Sequence, residues 1–162
     1  MTKIPEPNRP SLSGYIQPTI KLLPWKWVDR RMLEARNYWI TTHSMGFPSS
    51  RPVWGLWWSP QLLFSTGGGI ARNMSRRPEV QVNLESADEL VIIEGLAEPF
   101  PSSEDAARWA DDYQAKYDWE TAPPVSEAFI VRPRRILAWL SDSTGLDDGA
   151  AFLNSATEWR FE

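Results

Sequence analysis

The sequence predicts a mainly β domain, a six-stranded, mostly antiparallel β-barrel with peripheral helices. Three observations lead there. Between residues 38 and 140 the chain carries six segments of aromatic, β-branched or alternating apolar residues, the patterns of strands. Most of them are joined by short stretches of Gly, Pro and Ser, which favour hairpins and hence antiparallel pairing. Full or partial closure of such a sheet removes exposed edges.

Taken in order, residues 1–23 contain Pro5, Pro7, Pro10 and Pro18 among polar residues and read as an extended arm rather than a packed element. Residues 24–162 form a single domain. Pro24 opens a helix over about residues 24–36 as its first helical residue, with Trp25, Val28, Met32 and Ala35 near one face. The first strand is Tyr38 to Thr42. Residues 43–50 read as a loop, 52–59 as a second strand interrupted by Gly55, and 62–66 as a third. Gly67-Gly68-Gly69 leads into a short helix over 70–77 that stops before Pro78. Val80, Val82 and Leu84 alternate with polar residues in the fourth strand. Residues 89–98 form the fifth, with Leu90-Val91-Ile92-Ile93 expected buried on both faces and Gly95 marking a bulge. Ser102 is expected to cap a helix with Asp105 at its third position and Trp109, Tyr113 and Tyr117 on its buried side. Residues 128–140 are the sixth strand, with Pro133 at a bulge or edge. A polar loop (141–149) and a short closing segment (151–161) of undetermined type follow.

Composition removes several function classes. With no cysteine, disulfides, thiolate metal sites and cysteine nucleophiles are excluded. His43 is the sole histidine, which excludes multi-histidine metal sites and His-pair acid–base schemes. The net charge is -4, without the basic footprint of a nucleic-acid-binding domain, so no nucleic-acid partner is expected. No run of about 18 apolar residues predicts a membrane span, and no N-terminal apolar run predicts a signal peptide, so a cytoplasmic protein is expected. The ten tryptophans exceed what one small core would bury. Some are expected at a pocket or subunit interface, the alternative being a Trp-rich core with some exposed rings.

The triple glycine carries the clearest chemistry. Consecutive glycines let backbone N–H groups converge on an anion, and the following helix N-terminus favours negative charge. Ser65 and Thr66 add hydroxyls and Arg72 a fork suited to phosphate. The alternative is a flexible turn beside a solvated arginine. Arg76 and Arg77 read as solvated helix-end charges, and Arg134 and Arg135 as an edge-strand charge pair.

Four stretches, in this order and spacing, resemble the flavin-binding split barrel of the pyridoxamine-5'-phosphate-oxidase-like family. Residues 35–42 (ARNYWITT) are similar to its opening strand and 51–57 (RPVWGLW) to the strand beneath the flavin ring. Phe64 to Pro78 is similar to the phosphate-binding turn and short helix, and 91–98 (VIIEGLAE) to the strand after it. A weaker echo is 132–139. The resemblance covers about residues 24–140 and implies a homodimer with cofactor sites at the subunit interface. It implies FMN or, alternatively, the deazaflavin coenzyme F-420, used for hydride transfer to or from a small organic substrate. It assigns cofactor contacts to Arg51, Val53, Trp54, Gly55, Trp57, Ser65, Thr66, Gly67, Gly68, Ile70, Arg72 and Asn73, with Trp139 reaching the ring from the partner subunit. Two departures bear on phosphate binding. Ile70 stands where a lysine is usual, and Gly46-Phe47-Pro48-Ser49 replaces a Gly-Arg-Pro-His run. No catalytic acid or base stands out, as expected where a cofactor carries the redox chemistry. Two other readings stay open at this point: a non-catalytic flavin carrier, and a cofactor-free dimeric barrel binding a hydrophobic small molecule.

Overall fold

The computed structural model describes residues 2–11, 21–100, 104–120 and 122–162. The described chain is built on one sheet of eight strands, all antiparallel. The elements run α1 (Trp25–Glu34), β1 (Tyr38–His43), β2 (Pro48–Val53), β3 (Gly55–Trp58), β4 (Gln61–Ser65), α2 (Gly68–Arg76), β5 (Glu79–Asn83), β6 (Glu89–Pro99), α3 (Ala106–Tyr117), β7 (Ala128–Leu140), α4 (Ala150–Ser155) and β8 (Thr157–Arg160). Strand order is β2-β1-β5-β6-β7-β4-β3, with β8 pairing β7.

The two ends of that order, β2 and β3, are consecutive in the chain, with Trp54 alone between them. A single residue spans too little distance to join opposite edges of a flat sheet. The sheet therefore curls like a half-barrel and brings its two edges, which do not pair with each other, together at Trp54.

The expected six strands are eight. The predicted second strand is two strands that pair different neighbours, and the predicted loop at 43–50 holds the first half of β2. Pro48, Ser49, Ser50 and Arg51 have little strand propensity, and the hairpin with β1 sets their conformation instead. The closing segment supplies α4 and β8.

The barrel interior is filled by Tyr38, Ile40, Leu62, Phe64, Val82, Val91, Ile93, Ile136 and Trp159, in one buried cluster with Val28 and Met32 of α1. The predicted face of α1 is thus the buried one, although Pro24 stands at the N-cap rather than inside the helix. A second apolar cluster joins Leu56, Leu63, Ala128 and Ile130 to Trp109, Tyr113 and Tyr117 of α3. Asp105 is the N-cap residue of α3, not its third residue, and Ser102 lies outside the described residues.

The sixth predicted strand explains its proline. β7 pairs β6 along one side, and on the other meets β4 through Val131 and β8 from Arg135. Pro133, which has no N–H to donate, falls in the gap between those two partners. The register shifts opposite it, between Glu94 and Gly95, so the bulge expected at Gly95 is present. A Cβ on Gly95 would lie 2.5 Å from the Arg132 carbonyl oxygen, so only glycine fits.

Burial on both faces of β6 does not hold. Val91 and Ile93 are inside, whereas Leu90 and Ile92 face outward and are half-buried. The arm does pack: Asn8 and Glu158 exchange two backbone hydrogen bonds of 2.8 Å, and Ile4 lies against the core.

Candidate functional site

An open cleft of about 710 Å³ lies where the β1–β2 hairpin faces the N-terminal half of α2. Helix α2 is anchored by Ile70 and Met74, four residues apart and buried. Arg72 and Arg76 share the same spacing and stay exposed. Strand β2 brings Arg51 and Val53 to the wall, and the turn after β4 brings Thr66 and Gly67.

Three guanidinium groups, Arg51, Arg72 and Arg76, line this cleft, and no carboxylate does. Arg51 donates to the Ser50 carbonyl oxygen at 2.7 Å and Arg76 contacts Met45 Sδ at 3.8 Å. None of the three forms an ion pair among the described residues. In a chain of net charge -4 this is a local concentration of positive charge that an anion would satisfy.

The backbone adds to it. The N-cap residue of α2, Gly67, provides no side-chain cap, so the first N–H groups of the helix lack a side-chain partner. A Cβ built on Gly67, Gly68 or Gly69 would meet nothing within 4 Å, and Gly68 has φ +63°. The glycines leave room for another molecule to approach the main chain. A smaller cavity of about 230 Å³ continues the cleft through the shared Ser44, Met45, Asn73 and Arg76, and adds His43 and Arg77.

Of the residues singled out from sequence, Arg51, Val53, Thr66, Gly67, Ile70, Arg72 and Asn73 line the cleft together. Asn73 also ties α2 to β1, its Nδ2 donating to Thr42 Oγ1 at 3.0 Å. Six others do not line it. Ser65 pairs with Ala128 inside the sheet. Gly68 lies beside the cleft. Gly55 is confined by the barrel, since a Cβ there would be 2.5 Å from the Leu63 carbonyl oxygen. Trp57 is a core residue, with its Nε1 donating to Asp29 Oδ1 at 2.9 Å. Trp54 stacks on Tyr117, rings 4.6 Å apart and 5° from parallel, beneath the Arg36 guanidinium. Trp139 packs edge-on against Phe152 of α4.

Sequence reasoning missed Ser44, Met45, Ser49 and Pro52, all on the hairpin, and the cleft-lining position of Arg76. The last was open to detection, because Arg72 and Arg76 are one helical turn apart. Among the described residues no group of three or more acidic or histidine side chains could hold a metal ion, and no helix is long and apolar enough to cross a membrane.

No known family model matches the sequence, and no curated protein matches it. Solved structures do. A conserved hypothetical protein of Mycobacterium tuberculosis superposes with TM-score 0.64 at 19% identity, covering 82% of this chain and 94% of that one. A candidate pyridoxamine 5'-phosphate oxidase of Listeria innocua gives TM-score 0.58 at 18% identity, covering 71% and 98%. An FAD-binding protein of Mesorhizobium loti gives 0.57 at 17%, covering 86% and 96%. The curled antiparallel sheet, its peripheral helices and these superpositions agree: the chain has the fold of the pyridoxamine 5'-phosphate oxidase-like split barrels.

Proposed function

We propose that the protein binds a flavin-type coenzyme, FMN or the deazaflavin F-420, through its phosphate in the basic cleft. We further propose that it acts as an oxidoreductase on a small organic substrate. The observation that carries this reading is the cleft itself: three arginines, no acid, and an open glycine turn at a helix N-terminus. Its volume falls within the usual range for small-molecule sites. In this reading Arg72, Arg51 and the free N–H groups at the start of α2 hold the phosphate. Val53 and Thr66 border the remainder of the coenzyme. When bound, the ring supplies the hydride chemistry, and the protein contributes orientation and charge.

The departure at Ile70 fits the same reading. Its side chain completes the core, and the positive charge that a lysine would bring there comes from Arg51, Arg72 and Arg76 instead. The basic extension through Arg77 and His43 favours the deazaflavin, whose acidic tail is longer than that of FMN.

The working unit in this proposal is a homodimer, with Trp139 reaching the partner's coenzyme. Its support is the outer face of the barrel. Trp39, Asn83, Ile92 and Leu137 lie in one cross-strand row, beside the Leu90–Trp139 pair, and all are half-buried rather than covered. An apolar sheet face of this kind is suited to a subunit contact.

The test is a titration with FMN and with F-420, followed by tryptophan fluorescence. Saturable quenching in the micromolar range is expected with one of them, and an Arg72→Ala variant is expected to weaken it at least about tenfold. No quenching by either at about millimolar concentration rejects the binding site. Sedimentation tests the dimer: Ile92→Glu is expected to give a monomer where the parent chain does not.

A further inference from the structure

A second cavity, of about 430 Å³, lies on the α3 flank and shares no lining residue with the basic cleft. Its walls are mainly apolar: Leu33 of α1, Leu56, Trp57 and Trp58 of β3, and Ala115 of α3. Leu33 is 60% exposed, which leaves this side open to solvent. Trp58 is fixed in place by its Nε1 donating to Asp112 Oδ2 at 2.8 Å and by Arg108, 3.9 Å from its ring centre. Lys116 also lines this groove.

The Lys116 Nζ donates to Tyr38 Oη at 2.8 Å and to the Gly55 carbonyl oxygen at 2.9 Å. The Tyr38 hydroxyl donates its own hydrogen to the Met32 carbonyl at 2.6 Å, so toward Lys116 it can only accept. Two acceptors need two N–H groups, the number that a neutral amine has. Its lone pair is then left free of both. An ammonium would have a third N–H, left to the tyrosine rings or to solvent, since the side chain is half-buried.

The surroundings of the amine make it easier to deprotonate than an exposed lysine. Burial pushes its pKa down to about 8, and the neighbouring Arg36 charge adds to the shift. Tyr38 of β1 and Tyr117 of α3 face it, and burial raises both hydroxyls, Tyr117 to about 12, so neither supplies an anion near neutral pH. Asp112, one turn earlier on α3, is held by Trp58 and by Arg108 at 3.5 Å, and Asp29 of α1 by Trp57. The Tyr38 and Tyr117 rings, 4.6 and 5.4 Å from Nζ, attract a cation and are the opposing influences.

We propose that Lys116 is a nucleophilic amine that condenses reversibly with an aldehyde bearing an apolar aromatic body, which lies along Leu33, Leu56, Trp57 and Trp58. The amine nitrogen attacks the carbonyl carbon and a C–N bond forms. The carbonyl oxygen leaves as water, taking up the two amine hydrogens, and a C=N imine remains on Lys116. No electrons are gained or lost, and neither a flavin nor the basic cleft is required.

The test uses the full chain, benzaldehyde as probe, and cyanoborohydride, whose hydride reduces any imine to a stable secondary amine. Peptide mass spectrometry then reads each of the four lysines separately. Lys3, Lys21 and Lys26 are exposed and serve as internal references. At neutral pH, Lys116 is expected to be modified on the order of tenfold faster than those three, because far more of it is unprotonated. Its rate should level off above about pH 8 while theirs keep rising. Replacing benzaldehyde by formaldehyde, which has no apolar body, should erase much of the preference. Modification of Lys116 no faster than the references overturns the proposal. An equal preference with formaldehyde overturns the role given to the groove. Because the references lie in the same molecule, neither result depends on a variant folding.

Discussion

The cleft at α2 and the flank under α3 use the same residue types to opposite ends. At the cleft, three glycines stand in open space and three arginines line the wall without ion pairs among the described residues. At the flank and in the barrel, a Cβ on Gly55 or Gly95 would lie 2.5 Å from a backbone oxygen. Elsewhere Arg31 of α1 and Arg132, Arg135 and Arg160 of the sheet all have carboxylate partners. A glycine required by its own fold and a glycine that leaves room for a guest look identical in sequence. The space around each one distinguishes them.

This contrast breaks most sharply at the glycines. Gly55→Ala is expected to cost about 3 kcal/mol, because the added methyl meets main chain that cannot swing away. Gly69→Ala, in the first turn of α2, should instead be neutral or stabilising by up to about 1 kcal/mol while weakening coenzyme binding. Urea unfolding of both variants measures the difference, and equal losses would remove it.

The arginines come next. Glu158 is nearly buried and accepts from Arg135 Nε and Arg160 Nε, both at 2.9 Å. Glu158→Ala removes the shorter of the two ion pairs of half-buried Arg135 and is expected to cost about 2 kcal/mol, less than a fully buried pair because Arg135 keeps Glu94 at 3.6 Å and still reaches water. The same denaturation experiment reads it.

Smaller again is the pH response of Lys116. Its folded pKa, about 8, lies below the ordinary 10.5, so unfolding takes up a proton between those values. Its contribution is therefore complete above the unfolded pKa and is lost as pH falls through about 8. After allowance for solvent screening, stability should rise by about 1 kcal/mol from pH 8 to 10 relative to a Lys116→Met variant. Above that range the raised tyrosines act in the other direction. Melting curves of the two proteins across this window sharpen or remove the difference. Least of all, Arg72→Ala should change stability by no more than about 0.5 kcal/mol, since that side chain has no ion pair to lose among the described residues. Its effect belongs to ligand binding.

The element order was legible because strand periodicity and helix faces are local properties. Val80 and Val82 alternate, and Trp109, Tyr113 and Tyr117 recur at helical spacing. The break at Trp54 was not legible. Residues 52–59 read as one apolar run, and only long-range pairing tells β2 from β3. Burial on both faces of β3 likewise hides which way Trp57 points. Half of the cleft was visible from its glycines and Arg72. The other half sits on β2, where Pro48-Ser49-Ser50 resembles a loop until β1 pairs with it.

The outermost strand β2 carries two prolines, Pro48 and Pro52, in six residues. Proline offers no N–H to an incoming strand, and an exposed sheet edge is where proteins begin to stick to one another as fibrils. The edge at the other end, β3, is four residues long. The feature that makes this stretch hard to recognise as a strand thus guards the folded protein against aggregation: its borders are too poorly equipped, or too short, to template another chain.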